Sequence, residues 1–315
     1  MRPDFWLPLT YPDGLDKPPV CTSNAVLQAF DMSSLASKYM QQSLQLRRQG
    51  VTRGRHWHSG ESPIHLYKYR QVVAANLESV HRIRQLLVHG RIWVAEPSSL
   101  NDLHEMRFKL ELDPDPHVRR AWIKRNVHLL PKMSPARRIQ AQQRLMRSSL
   151  TKELEENFTS DMDSNMGVFS ASQDPRNEPM WAHYAADHHG ICVQLETTQD
   201  ELFLLLNKVQ YSTQFPVLRI PHSSIQGKAH FLFKSMEWAY EREWRVVIPR
   251  NCFSIELRPP SIAGVILGAR SNQATREVVE TLNAERVELG RPAFKIYQSK
   301  QHKDRYGVRI TEVGT

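Results

Sequence analysis

The chain has 315 residues, 40% hydrophobic and 24% charged, with 42 Lys and Arg against 33 Asp and Glu and a formal charge of +9. That composition supports a packed core and excludes a wholly disordered chain. Three scattered cysteines (Cys21, Cys192, Cys252) exclude a disulfide scaffold or a paired-cysteine metal knuckle and suit a reducing compartment. The opening stretch MRPDFWLPLTYPDGL carries prolines and acids where a secretory leader needs an apolar run. Apolar runs such as Leu202–Leu206 are far shorter than the roughly 18–20 residues of a membrane span. A soluble cytoplasmic protein is expected, one that a delivery apparatus could still hand to a target cell.

In chain order, residues 1–60 read as an N-terminal extension, proline-rich at first, with a helix around Asn24–Arg48 and the linker His56–Pro63. An α+β domain is expected over 61–315. His65–Arg70 (HLYKYR) alternates like a strand, with Leu66, Lys68 and Arg70 on one face and Tyr67 and Tyr69 on the other. Leu77, Val80, Ile83 and Leu87 recur at helical spacing in Asn76–His89, which Gly90 closes. Ile92–Ala95 follows as a strand and Pro97–Asp102 (PSSLND) as a turn. His104–Phe158 reads as mainly helical, broken near Pro131 and Pro135, with an apolar stripe at Met146, Leu150, Leu154 and Phe158. Strands are expected at Gly167–Ser172, Gly190–Leu195, Val209–Ser212, Trp244–Pro249 and Ile262–Leu267, with helices at Phe231–Tyr240 and Asn272–Arg286. Lys295–Gln298 and Gly307–Ile310 close the chain as strands. Strands interrupted by helices without regular βαβ alternation predict an α+β fold of mostly antiparallel strands, with a helical insertion at about 104–160.

The positive charge is concentrated. Between His117 and Leu150 stand Arg119, Arg120, Lys124, Arg125, Lys132, Arg137, Arg138, Arg144 and Arg147, without a single acid. Such a segment attracts phosphates or acidic surfaces. It equally describes a solvated helical face, and Trp122 is the one aromatic available for base stacking within it.

Three strand positions could carry chemistry: Arg70, the pair Ser170 and Ser172 on one strand face, and Glu241 with Glu243 where a helix gives way to a strand. Taken singly, each has an ordinary structural role. Arg70 can pair with a surface acid, serines decorate strands, and Glu243 can pair with Arg245 along its own strand. His183 and Asp187 would share a helix face, but no third metal ligand is evident and HExxH is absent. A structural or substrate-contacting role suits His183 better than metal binding.

The order Arg70, Ser170-Ala171-Ser172, Glu241-Arg242-Glu243 resembles the Arg–Ser–Glu class of ADP-ribosyltransferases, with Ala171 where that class carries threonine. LYKYR (66–70), PSSLND (97–102), FSAS with MWAHYAADHHGICVQLE (180–196), VQYS (209–212), WAYEREWRVV (238–247) and VILGAR (265–270) are also similar, in that order, to the bacterial domain-of-unknown-function 2971 family over roughly 65–312. The first resemblance implies a split sheet and NAD as substrate. It makes Glu243 the carboxylate that stabilises an oxocarbenium-like centre and Glu241 the group that positions or activates the acceptor. It makes Arg70 the phosphate ligand, Ser170 a contact on the nicotinamide side, and Ser172 the residue orienting Glu243. A stacking aromatic would come from Tyr67, Tyr69, Trp181, Tyr184 or Tyr211. The acceptor would be a protein or a nucleic acid, recognised through the basic insertion, and the activity would suit a toxin or defence effector with an antitoxin or immunity partner. Two other functions compete: a non-catalytic nucleic-acid-binding defence module, and a phosphodiester-cleaving enzyme using Glu241, Glu243 and His183.

Overall fold

The computed structural model describes residues 20–22, 62–125, 134–146, 156, 160, 165–220, 230–249 and 253–313. Their strands, in chain order, are β1 (Val20–Thr22), β2 (His65–Arg70), β3 (Arg91–Trp93), β4 (Lys109–Leu112), β5 (Met166–Ser172), β6 (Ile191–Glu196), β7 (Leu206–Lys208) and β8 (Gln210–Ser212). They continue as β9 (Val217–Ile220), β10 (Phe233–Ser235), β11 (Glu243–Pro249), β12 (Ser254–Glu256), β13 (Ile262–Leu267), β14 (Lys295–Gln301) and β15 (Val308–Glu312). The α-helices are α1 (Leu77–Leu87), α2 (Pro116–Arg125), α3 (Pro135–Met146), α4 (Glu178–Tyr184) and α5 (Gln273–Glu288).

The expected α+β class holds. An eight-stranded sheet runs in the order β15-β14-β13-β6-β2-β5-β11-β7 and is antiparallel except for the β13–β14 pair, which α5 connects. At its centre β2 pairs with β5 through one position, Tyr67 opposite Ser172, and the two strands then diverge. The ladder bonds lost there are partly replaced. Lys68 Nζ reaches into the gap and donates to the Ser170 carbonyl, as an otherwise orphaned backbone acceptor requires.

The alternation read in HLYKYR holds across the sheet. One face carries Leu66, Phe169, Val193, Leu195, Trp244, Val246, Val265 and Leu267, and buries them against Ile83, Leu86 and Leu87 of α1 and Val279 and Leu282 of α5. Asn76 and Asn272 cap these two helices through their side chains, satisfying first-turn amides that have no intrahelical partner. The other face carries Tyr69, Cys192 and Ile266 against Met180 and Trp181 of α4. The charged cluster and the cleft described below lie on this second face.

Three sequence expectations change. Phe231–Tyr240 is not an α-helix: it forms a 3₁₀ turn at His230–Leu232, the strand β10, and a longer 3₁₀ helix at Met236–Glu241. The pairing of β10 with β8 outweighs the local helical pattern. The insertion is not helical from His104: Phe108-Lys109-Leu110-Glu111-Leu112 alternates, forms β4, and pairs in parallel with β9. Helix starts at Pro116, where the Asp115 side chain accepts from the His117 amide. Third, the extension supplies β1, which pairs with β12 beside β3. The expected helix Asn24–Arg48, most of the linker His56–Pro63, and Leu150, Leu154 and Phe158 of the apolar stripe lie outside the described residues. Among the described residues no helix is long and apolar enough to cross a membrane.

Candidate functional site

The three motif-bearing strands are neighbours: β2 with Arg70, β5 with Ser170 and Ser172, and β11 with Glu243. Their registers place Tyr67, Ser172 and Glu243 in one row across the sheet. Glu241 stands just before β11, at the end of the 3₁₀ helix, and Arg242 between the two glutamates takes the left-handed conformation (φ 46°). That conformation turns the Arg242 side chain out to solvent, 64% exposed and 3.2 Å from Asp174, while both flanking carboxylates turn inward.

The inward pair is sealed. Glu241 is 3% exposed, Glu243 5%, Lys234 7% and Arg245 1%. Arg245 grips Glu243 with two bonds, Nε to Oε1 at 2.8 Å and Nη2 to Oε2 at 3.0 Å. The far edge of the same guanidinium donates to the Glu105 carboxylate and to the Phe231 carbonyl. Lys234 bridges Glu241 at 2.5 Å and Glu243 at 3.4 Å, and lies over the Trp238 ring. Tyr184 donates to Glu241 at 2.6 Å and accepts from Asn101. Burial pushes the Glu243 pKa up, but Arg245 and then Lys234 prevail and hold it down at about 2. Burial likewise opposes the charge on Lys234, and the two glutamates overcome it, raising its pKa. Glu243 is therefore an ionised carboxylate whose charge is already matched by bidentate contact.

Lys68 behaves differently. Burial, and next the nearby Arg70, lower its pKa to about 7. Arg70 itself is lowered to about 10 by burial and by Arg82. Strand alternation puts the Arg70 side chain on the face opposite Tyr67, Ser172 and Glu243.

A cleft of about 1280 Å³ opens beside the row, where β2 and β5 meet. Its floor is Tyr67, Gln194, Ile266, Tyr297 and Ile310, and its rim includes Gln173, Arg176, Lys208 and Arg242. Tyr211 is a wall shared with the charged cluster, because its hydroxyl accepts from the Glu243 amide at 2.8 Å.

The sequence candidates therefore separate into groups. Glu241, Glu243, Ser170, Ser172 and Tyr184 meet in or beside the cluster, and Tyr67 and Tyr211 line the cleft. Ser172 Oγ donates to the Glu241 carbonyl at 2.6 Å, holding the backbone of the Glu-x-Glu turn rather than the Glu243 carboxylate. Ser170 Oγ is buried without a hydrogen-bond partner of good geometry. Tyr69 and Trp181 are core: they meet edge-on at 5.1 Å, the Tyr69 hydroxyl donates to Asp174 O, and the Trp181 Nε1 donates to Pro175 O. Neither presents a face for stacking in the cleft. His183 is exposed beside Tyr184 and Tyr240. It does not share a helix face with Asp187, because α4 ends at Tyr184 and Ala186, Asp187 and His188 all adopt positive φ. Among the described residues no group of three or more His, Cys, Asp or Glu is placed to hold a metal.

That left-handed turn explains two glycines. A Cβ on Gly190 would stand 2.3 Å from the Arg70 carbonyl, and one on Gly268 2.1 Å from the His188 carbonyl. Only hydrogen lets the three segments close together, and Gly268 N then donates to Gly190 O. Lys234 and Glu105 were not singled out from sequence. Lys234 lay inside an expected helix, and Glu105 comes from a turn distant in the chain. Tyr297, Arg176 and Lys208 carry no motif at all.

Residues 180–246 match the model of a family described as a protein of unknown function (DUF2971). The match runs from α4 through β11 and contains Tyr184, Lys234, Glu241, Glu243 and Arg245, supporting the likeness read from the motifs. No curated protein and no solved structure matches the chain significantly.

Proposed function

We propose that the tyrosine-lined cleft binds a nucleotide of the NAD class and that the chain transfers ADP-ribose from it to a protein or nucleic-acid acceptor, a chemistry suited to a toxin or defence effector. The observation that carries this reading is a cleft with stacking rings and a cationic rim, whose Tyr67 stands in one row across the sheet with the buried Ser172 and Glu243. Tyr67, Tyr211 and Tyr297 offer rings for a nicotinamide or adenine, and Arg242, Arg176 and Lys208 offer charge for the pyrophosphate. In the transfer, the bond between nicotinamide nitrogen and the anomeric carbon breaks and nicotinamide leaves with the electron pair. The acceptor nucleophile then bonds that carbon and gives up its proton. A carboxylate beside the sugar stabilises the positive charge that develops. Glu243 serves in this way only once its bidentate contact with Arg245 opens, so turnover requires a rearrangement around β10 and the 3₁₀ helix after it, which carry Lys234 and Glu241.

A second reading rests on that same contact. If Arg245 never releases Glu243, the cluster is a strut and the chain is a nucleotide-binding module without turnover. Incubation with NAD labelled in the nicotinamide ring and with cell lysate separates the two. The transfer reading expects nicotinamide release by the wild type and loss of it in Glu243→Gln. Binding without release establishes the module, and absence of both binding and release overturns both readings.

A further inference from the structure

The basic insertion begins at the separate two-stranded β4–β9 sheet, whose surface lies outside the cleft, while Glu105 of the turn before β4 joins the charged cluster. Parallel pairing of β4 with β9, Lys109 opposite Val217, brings the turn before β4 against the turn before β9. There the exposed rings of His104 and Phe215 lie 5.8 Å apart, Phe215 being 42% exposed. Leu103 and Val217 are exposed beside them, as are Arg107 and Lys109. The chain continues from β4 into α2 and α3, which pack on each other and expose His117, Arg120 and Arg137. This is the 117–150 segment with nine cations and no acid.

The acids near its root are largely engaged. Asp113 accepts from the Asp115 amide, Asp115 caps α2, and Glu105 is bound to Arg245. Glu111 is exposed, on the same strand face as Lys109.

An exposed aromatic pair flanked by cations, at the base of two packed helices without an acid, is the arrangement that binds an unpaired nucleic-acid strand. The rings stack on splayed bases and the cations follow the phosphates. A duplex hides its base faces and could use only the charge. An acidic protein would use the charge and leave the aromatic pair idle.

We propose that single-stranded nucleic acid docks along His104, Phe215 and the helices α2 and α3. This goes beyond the NAD reading and stands whether or not nucleotide is turned over. The test is fluorescence anisotropy of the full chain with labelled oligo-dT and oligo-rU, a duplex of equal length, and anionic phosphatidylserine vesicles, at low and moderate salt. The expected result is single-strand binding that weakens at least about tenfold between 50 and 200 mM salt. Phe215→Ala should weaken single-strand binding about tenfold and duplex binding hardly at all. Arg120→Ala with Arg137→Ala should flatten the salt slope for both. These are exposed positions, and an unchanged melting temperature confirms folding; His104→Ala reads the same stack independently. No single-strand binding at low salt overturns the proposal. So does equal affinity for wild type, Phe215→Ala and His104→Ala, or tighter binding to the vesicles than to the oligonucleotides.

Discussion

Two polar regions lie side by side on one face of the sheet, and they use their side chains in opposite ways. In the cluster, Glu105, Lys234, Glu241, Glu243 and Arg245 satisfy one another with water excluded. In the cleft, Tyr67, Tyr211 and Tyr297 are half-buried, and Arg176, Lys208 and Arg242 stand in solvent. The groups that look most like a catalytic motif are the ones with the least capacity left for a ligand, and the less conspicuous cleft residues have the most. Buried charge is tolerated only when paired. A glutamate pair on a sequence therefore signals a site only if its cations are few.

Removing Arg245 breaks the cluster most severely. Arg245→Met leaves Glu105 and Glu243 buried without their main partner, and should cost about 3–5 kcal/mol in urea denaturation. Glu243→Gln removes one charge and keeps the hydrogen-bonding shape, so its loss should be smaller. A loss under about 1 kcal/mol for Arg245→Met would mean the cluster is open to water in solution.

Lys68 offers a sharper probe through pH. Its folded pKa, about 7, lies below its ordinary value. The unfolded chain therefore binds the proton more tightly, and stability should rise with pH from about 7 toward about 10.5, with a slope of at most about 1.4 kcal/mol per pH unit. Below about 7 both states hold the proton, and this contribution flattens at its most destabilising level. Lys68→Met should abolish the slope in melts across that range and be more stable than wild type at neutral pH, if Ser170 O finds water in the β2–β5 gap.

Tyr211 belongs to both regions. Tyr211→Phe removes the acceptor for the Glu243 amide and should cost about 1 kcal/mol of stability, with weaker nucleotide binding in the same protein. Arg242→Ala is the mildest change. Its exposed pair with Asp174 contributes under about 1 kcal/mol, so the melting temperature should hold while nucleotide affinity falls.

How much of this was readable in the chain follows from what each feature depends on. HLYKYR, MGVFSAS and IAGVIL alternate or run apolar, and their strands appear within a residue or two of expectation. Asn76 and Asn272 announce their helices. Short-range signals fail where pairing decides: FKLEL and FKS become strands only because β9 and β8 lie beside them. The site was half legible. The Ser-x-Ser and Glu-x-Glu motifs do meet across β5 and β11, but Lys234 and Glu105 arrive from other elements and close the carboxylates. Tyr297 and Lys208 reach the cleft from β14 and β7, with no spacing to betray them.

The most direct measurement is calorimetric titration of ADP-ribose and NAD into wild type and Tyr67→Ala. The cleft account predicts saturable binding by wild type, weakened tenfold or more in Tyr67→Ala with an unchanged melting temperature. Equal affinity in the two proteins, or no binding to wild type, would contradict it.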